Sequence, residues 1–84
     1  MPEITRFYGI VLKMYLKPKE HETKHIHAIY GDDLGVFDIE TFEMINGDLP
    51  NRAKKIVQEW MIIYKNELIQ MWDTQNVYHL PPLK

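Results

Sequence analysis

The sequence predicts an α+β fold of two layers, in which one long C-terminal helix packs on one face of a small antiparallel sheet of three or four strands. Two observations predict this fold. The first half of the chain alternates apolar and polar residues with a period of two, which is typical of strands with one buried face. From residue 50 onward the apolar residues recur every three or four positions, which is typical of an amphipathic helix.

Three strands and a shorter fourth account for residues 8 to 45. The even positions of Tyr8–Leu16 are all apolar and predict the first strand, and His25–Tyr30 forms the second. Leu34–Glu40 is rich in β-favouring side chains and predicts the third, and Phe42–Ile45 predicts the fourth. Turn-forming residues at 31–33 and 46–48 follow the second and fourth of these segments, as chain reversals require.

The helical spacing of the apolar residues predicts one helix from about Pro50 to about Trp72. Pro50 is compatible with its start, because proline is well tolerated in the first turn of a helix. Its apolar stripe consists of Ala53, Ile56, Val57, Trp60, Ile63, Tyr64, Leu68 and Met71. Trp60 and Trp72 lie on or near this stripe, so we expect both to pack in the core. Pro81 and Pro82 cannot extend a helix, so within a single domain spanning 1–84 we expect residues 73–84 to form a loose or docking tail.

The composition excludes several classes of function. The 84 residues contain no cysteine, which excludes disulfides, thiolate metal sites and thiol catalysis. The formal charge of -2 lacks the positive excess with which proteins hold nucleic acid by its phosphates, so nucleic acid is expected only as a substrate. With neither a secretory signal pattern nor an apolar run of membrane-spanning length, we expect a cytoplasmic protein that does not bind membranes.

Three of the four histidines, His21, His25 and His27, lie within seven residues of one another. In a strand, His25 and His27 point to the same face, because alternate side chains do so. Histidine titrates near neutral pH and is the commonest nitrogen ligand of transition metals. The motif therefore fits acid–base catalysis, metal binding, or a structural or interfacial role, and the residues alone do not choose among them.

Each of the two chemical alternatives requires further groups. A divalent ion such as zinc would use His21, His25 and His27 as its three protein ligands and keep a position open for water. Additional candidate ligands are Asp32, Asp33 and Asp38. A metal-free ribonuclease or other phosphoester-cleaving enzyme would use His25 and His27 as acid and base, with Arg6 or Lys24 stabilising the phosphorane charge.

A single helix covers only one face of a sheet, so the other face is predicted to be open. His25 and His27 fall on this open face by their positions in the second strand. The same face is predicted to carry more apolar area than a solvated sheet usually does, from Phe7, Val11, Tyr15 and Ile29. We expect a partner protein, a second copy of the chain or a ligand to cover it.

Several short motifs along the chain resemble those of one family of small bacterial proteins. Pro2–Ile10 is similar to a P-E-I-x-R-F-x-G-I element, and His21–Gly31 is similar to a histidine element in which Thr23-Lys24 replaces a proline pair. Further similar segments are Asp38-Ile39-Glu40, Gly47–Arg52, Glu59-Trp60, Glu67-Leu68 and Trp72. Together these segments resemble the domain of unknown function family 4160.

The resemblance implies a partner-dependent function, since members are often encoded beside another small protein in pairs similar to toxin–antitoxin modules. It favours a component of such a module that acts through an interface including His25 and His27, with a small protein from a neighbouring gene or a second copy as partner. The histidine-dependent, metal-assisted or metal-free enzyme is the alternative. A DNA-binding repressor ranks lowest, because the chain is acidic and its predicted helix is needed for the core.

Overall fold

The computed structural model describes residues 3–15 and 23–84. Its strands are β1 (Glu3–Phe7), β2 (Ile10–Lys13), β3 (His25–Tyr30), β4 (Asp33–Asp38) and β5 (Met44–Gly47), and its helices are α1 (Asn51–Ile63) and α2 (Lys65–Thr74). The α+β class is confirmed. The sheet nevertheless has five strands where three or four were predicted, and two helices are present where a single long helix was predicted.

The sheet is an antiparallel meander, because the order of strands in space, β1-β2-β3-β4-β5, is their order along the chain. Tyr8 and Gly9 form the two-residue turn between β1 and β2, with φ of 48° and 78° as a type I′ turn requires. Gly31, with φ of 60°, begins the turn between β3 and β4. The central strand β3 therefore pairs along both edges, with β2 and with β4.

The first strand was predicted from Tyr8 onward, so the prediction includes β2 but not β1. The pairing of β1 with β2 shifts register between Glu3 and Thr5, so Ile4 and Thr5 are both buried and the period of two is lost. The apolar alternation itself is real beyond the turn, since the even positions 10, 12 and 14 are buried. Leu16, the predicted end of this strand, lies outside the described residues.

Because of the turn at Tyr8, two aromatic residues lie elsewhere than the sequence predicted. Because the chain reverses there, Phe7 pairs with Ile10 and lies on the same, helix-covered face. Phe7 was expected on the open face, but it is buried, with its ring centroid 6.1 Å from that of Trp60. Tyr8 was expected to pack on the helix, but it lies at the turn and is 60% exposed.

The helix breaks at Tyr64, whose φ of −109° and ψ of 22° end α1 and precede α2. The buried residues keep the same helical spacing on both sides of the break: Ala53, Val57, Trp60 and Met61 on α1, and Leu68, Met71 and Trp72 on α2. The apolar pattern thus passes through Tyr64 in phase and gives no sign of the break. The predicted burial of both tryptophans is confirmed. Neither helix within the described ranges combines the length and the apolar character needed to traverse a bilayer.

The segment after α2 contacts both layers of the fold. The backbone N–H of Leu80 donates to the carbonyl oxygen of Ile4 at 3.0 Å, beside the edge strand β1. The indole Nε1 of Trp60 donates to the carbonyl oxygen of Pro81 at 2.8 Å. Val77, Leu80 and Leu83 also pack against the core. One side of the sheet is therefore covered by α1, α2 and this segment.

Replacing Gly47 with alanine is expected to destabilise the protein more than the same change at Gly31. Both glycines have positive φ, 79° and 60°, so alanine costs about 1–2 kcal/mol in backbone strain at either position. At Gly47 the added Cβ would also overlap the carbonyl oxygen of Leu34, whereas at Gly31 it meets nothing within 4 Å. Urea denaturation should show a loss of about 1 kcal/mol for Gly31→Ala and about 3 kcal/mol for Gly47→Ala. Equal losses would contradict the importance of this overlap.

Candidate functional site

The face of the sheet opposite the helices presents polar, aromatic and aliphatic side chains, and we call it the open face. It consists of Glu3, Arg6, Val11, Lys13, Tyr15, His25, His27, Ile29, Leu34, Val36, Asp38 and Asn46. These residues alternate with the buried ones along their strands, apart from the irregularity in β1. The predicted open face is thus present, without Phe7.

His27 occupies the centre of the open face. It pairs with Lys13 on β2 and with Val36 on β4, so its two neighbours across the sheet are a cation and an aliphatic side chain. His25 lies two residues earlier on the same face and pairs with Asp38. The predicted placement of both histidines on one face follows directly from this register.

Four rings form a continuous series from the open face to the helix layer. The ring centroids of Tyr15 and His27 are 4.5 Å apart, those of His27 and His25 5.3 Å, and those of His25 and Trp72 5.1 Å. The first two contacts are edge-on, which is a favourable geometry for aromatic pairs. Trp72 belongs to α2, so the buried helix layer supports the position of the His25 ring.

The His25 ring is also oriented by the backbone. Its Nδ1 lies 2.6 Å from the carbonyl oxygen of Thr23. Because a carbonyl oxygen only accepts hydrogen bonds, Nδ1 carries the proton, and Nε2 is the acceptor nitrogen of the neutral ring. Metal-binding histidines are oriented in the same manner by a bond from the other ring nitrogen. His25 is therefore prepared to act as a base or a ligand through Nε2.

The two cations predicted to stabilise a phosphorane charge are both paired with carboxylates. Arg6 Nη2 lies 2.8 Å from Glu3 Oε1, and Lys24 Nζ lies 2.8 Å from Asp73 Oδ1. The hydrogen bond with Glu3 raises the pKa of Arg6, and the same bond lowers the pKa of Glu3. The hydrogen bond with Asp73 raises the pKa of Lys24. Both cations stay charged at neutral pH, but each is already paired with a carboxylate of the protein itself.

Arg6 lies at a distance from the histidine pair. It pairs with Val11, which in turn pairs with Ile29, so Arg6 is two strands from β3 and in the row above His27. Strand spacing and rise per residue then put the Cα atoms of Arg6 and His27 roughly 12 Å apart. The structure brings His25 and His27 together but does not bring Arg6 next to them.

The described part of the chain contains two of the three predicted metal ligands, since His21 lies outside it. Among the described residues, no three histidine, aspartate or glutamate side chains are grouped closely enough to hold one metal ion. Asp38 pairs with His25, but its Oδ1 accepts two backbone N–H bonds, at 2.7 and 3.2 Å, within the following turn. A site with three ligands would therefore need a group from outside the described residues, such as His21.

Two shallow clefts on the open face share His27. The histidine cleft, of about 320 Å³, is lined by Thr23, His25, His27, Val36, Ile45 and Asn46. The acidic cleft, of about 520 Å³, is lined in part by Tyr15, His27, Ile29, Asp32, Asp33 and Leu34. A larger cleft of about 730 Å³ lies elsewhere, between the β1–β2 turn and α1, and contains Tyr8, Tyr30 and Arg52 but no histidine.

A charge asymmetry across the sheet was not predicted. Residues 25–51 contain none of the ten lysines and arginines but six carboxylates: Asp32, Asp33, Asp38, Glu40, Glu43 and Asp48. Because the sheet is a meander, this segment forms β3, β4, β5 and their connections. These six carboxylates therefore collect on one lateral half of the sheet, while Lys13 and the ion pair of Arg6 with Glu3 lie on the other. The charge block is visible in the sequence, but its placement requires the topology.

His25 is expected to adopt the Nδ1–H tautomer when neutral, because the Thr23 carbonyl oxygen can only accept the bond from Nδ1. Long-range ¹H–¹⁵N correlation spectra at alkaline pH distinguish the two tautomers, and a His25→Gln variant assigns the signals. His79 is exposed and provides a second histidine signal for comparison. A His25 ring protonated at Nε2 would contradict the hydrogen bond.

Comparison with known proteins provides one match. Searches of curated proteins and of solved structures each returned no match. A family model described as Domain of unknown function (DUF4160) matches residues 9–73. This range runs from the β1–β2 turn into α2 and includes His25, His27 and most of the open face. Since the match covers well over half of the 84 residues, the chain belongs to the DUF4160 family.

Proposed function

We propose that this protein is the protein-binding component of a bacterial, cytoplasmic two-gene module similar to a toxin–antitoxin pair, and that it binds its partner through the open face. The observation that supports this proposal is a sheet face that no other element of residues 3–15 and 23–84 covers, and whose centre combines aliphatic side chains with aromatic and imidazole rings. The resemblance of the sequence to proteins encoded in such pairs supplies the kind of partner, a small protein from the neighbouring gene.

The aliphatic content of the open face supports the proposal. Leu34 is 45% exposed, and Ile45 at the edge of the histidine cleft is 48% exposed. Ile29 and Val36 lie beside His27 and are half-buried, and Val11, also half-buried, pairs with Ile29 from β2. A sheet face that remains in water normally carries polar side chains, and contiguous apolar surface of this kind marks binding sites.

The arrangement of polar groups also resembles that of a protein interface. Interfaces have an apolar and aromatic centre with a polar rim. Here Tyr15 and the two histidine rings occupy the centre. Charged residues of the same face lie around them, with Lys13 and the Arg6–Glu3 pair on one side and Asp38 on the other. Rings held in place by their neighbours lose little conformational freedom on binding, which favours affinity.

Leu34→Asp is expected to weaken capture of the neighbouring gene product at least about tenfold, because it places a charge in the apolar part of the interface. Ile62→Asp is the matched control, since Ile62 is 61% exposed on the outer side of α1. Both variants should keep the wild-type circular dichroism spectrum. Affinity measured by calorimetry should then fall for Leu34→Asp alone. Equal binding by both variants would remove the open face from the proposal.

A second candidate function is a histidine-dependent ribonuclease or other phosphoester-cleaving enzyme, and the orientation of His25 is the observation that favours it. Here His25 acts as base through Nε2 and His27 acts as acid, or both bind a divalent ion such as zinc together with His21. The ion pair of Arg6 with Glu3 counts against Arg6 as the charge stabiliser. This candidate therefore ranks below the binding function.

The enzyme candidate predicts that induced expression of the protein alone arrests bacterial growth and cleaves RNA, and that His25→Ala/His27→Ala abolishes both effects. The expected loss in cleavage rate is at least about 100-fold, since general acid–base catalysis contributes that much or more. Leu34→Asp serves as the control that changes the same face but keeps both imidazoles. If cleavage is undiminished in the double histidine variant, this candidate is wrong.

A further inference from the structure

We propose that the larger cleft, between the β1–β2 turn and α1, binds a small aromatic acid, in which a carboxylate or a phosphate is attached to a planar ring. The cleft lies on the helix-covered side of the sheet, so it is separate from the open face and independent of the proposed function. Its volume of about 730 Å³ is within the range of small-molecule sites. Two tyrosine rings, an arginine and an apolar floor define the chemistry of the ligand.

Two tyrosine residues line the cleft from the side of the sheet. Tyr30 ends β3 and pairs with Ile10, and its ring lies against the β1–β2 turn, since a Cβ added at Gly9 would be 3.4 Å from Tyr30 Cε1. Tyr8 is the neighbouring residue of that turn. Tyr8 is 60% exposed and Tyr30 is 39% exposed, so part of each side chain remains accessible to a ligand. Aromatic rings presented in this way stack on other planar rings.

Tyr8 occupies a backbone conformation that a bulky side chain does not favour. Its φ is 48°, and the first central position of a type I′ turn normally holds asparagine, aspartate or glycine. The ring packs edge-on against Phe7, with the centroids 6.0 Å apart, but the residue stays mostly exposed, so burial offsets little of the strain. Strained residues of this kind cluster at binding and catalytic sites. We therefore assign the Tyr8 ring to the wall of a binding site.

The charged side chains that line the cleft are Arg52, Lys84 and Glu59. Arg52 lies in the first turn of α1, and Glu59 lies two turns later, roughly 10 Å along the helix axis. No carboxylate in the described part of the chain is within ion-pair distance of the Arg52 guanidinium, whereas Arg6 is already paired with one. A guanidinium binds a carboxylate or a phosphate in a bidentate manner. Repulsion by Glu59 directs the anionic group of the ligand to the Arg52 end.

The floor of the cleft is apolar. Ile10 of the sheet and Ala53 of α1 are buried there, and Ile56 and Leu83 line its sides and are half-buried. The segment that contains Leu83 is held to α1 by the hydrogen bond that the Trp60 indole donates. An apolar ring that covers these side chains removes them from water, which adds affinity that the charge alone does not supply. The cleft therefore favours an acid with an aromatic body over an inorganic anion.

Titration with 2-naphthyl phosphate and with 2-naphthoate tests the inference and separates the two kinds of acid. In ¹H–¹⁵N spectra, at least one of them should shift the amide signals of Gly9, Arg52 and Ala53 in a saturable manner and leave that of Val36 on the open face in place. Inorganic phosphate has only the anion and 2-naphthol only the ring, so each should bind about tenfold more weakly or worse. Equal binding of 2-naphthol, shifts confined to the open face, or no binding of either acid would overturn the inference.

Arg52→Gln should weaken binding of the acid about tenfold or more, because it removes a hydrogen bond between opposite charges. Lys55→Gln is the matched control, since it removes the same charge from α1 at a residue outside the lining of the cleft. This control should keep the affinity of the wild type. An equal loss in both variants would attribute the effect to the overall charge of the protein and overturn the inference.

Tyr8→Asn separates binding from folding. Asparagine tolerates a φ of 48°, so the Tm should stay the same or rise, while the affinity for the acid should fall about tenfold. A variant that binds more weakly and is no less stable supports the inference. If Tyr8→Asn instead lowers the Tm and keeps the affinity, the ring serves only the fold and the inference is wrong. Leu34→Asp, which tests the open face, should leave binding of the acid unchanged, so the outcome here is distinct from that of the proposed function.

Discussion

The register of the central strand β3 determines which side chains this protein buries and which it presents. Ile26 and Ala28 enter the core while His25, His27 and Ile29 face the other way, and a shift of one residue would exchange the two sets. The register is held from both sides, by β2 and by β4. Because burying the histidines would leave polar nitrogens in an apolar core, the alternative register is strongly disfavoured. The open face follows from this single constraint.

An extended pattern in the sequence predicted β3, β-favouring side chains predicted β4, and the alternation of side chains along a strand predicted the open face, because both strands are regular. The parts that were missed are those where geometry departs from the ideal without changing the residue types. Ile4 and Thr5 are adjacent and both buried, since a register shift in β1 turns both inward. Tyr64 ends a helix without proline or glycine and in phase with the apolar stripe. Neither feature has a signature in a single sequence.

The meander topology converts position along the sequence into position across the sheet. A block of carboxylates in residues 25–51 would be scattered in a fold with crossover connections, but here it stays on one side of β3. Strands that are adjacent in the sheet are also adjacent in the sequence, so charges that are clustered in the sequence lie together on one side of the sheet. Of the six carboxylates in this block only Asp38 belongs to the open face. Asp33 pairs with Tyr30 in the row of the buried Ile10, and the others lie in the connections between strands or after β5.

The imidazoles explain how an open, partly apolar face is tolerated when no partner is present. A phenylalanine at the position of His27 would present a wholly apolar ring, whereas an imidazole packs edge-on against Tyr15 and carries two polar ring nitrogens. The His25 ring contacts the Trp72 ring of α2, and its Nδ1 is hydrogen-bonded to the carbonyl oxygen of Thr23. The rings are therefore ordered before any partner arrives, which lowers the entropic cost of binding.

The same order would serve catalysis, but catalysis also requires a charge stabiliser, and Arg6 lies two strands away and is paired with Glu3. Binding requires nothing more than the face already provides, and for this reason the geometry favours it.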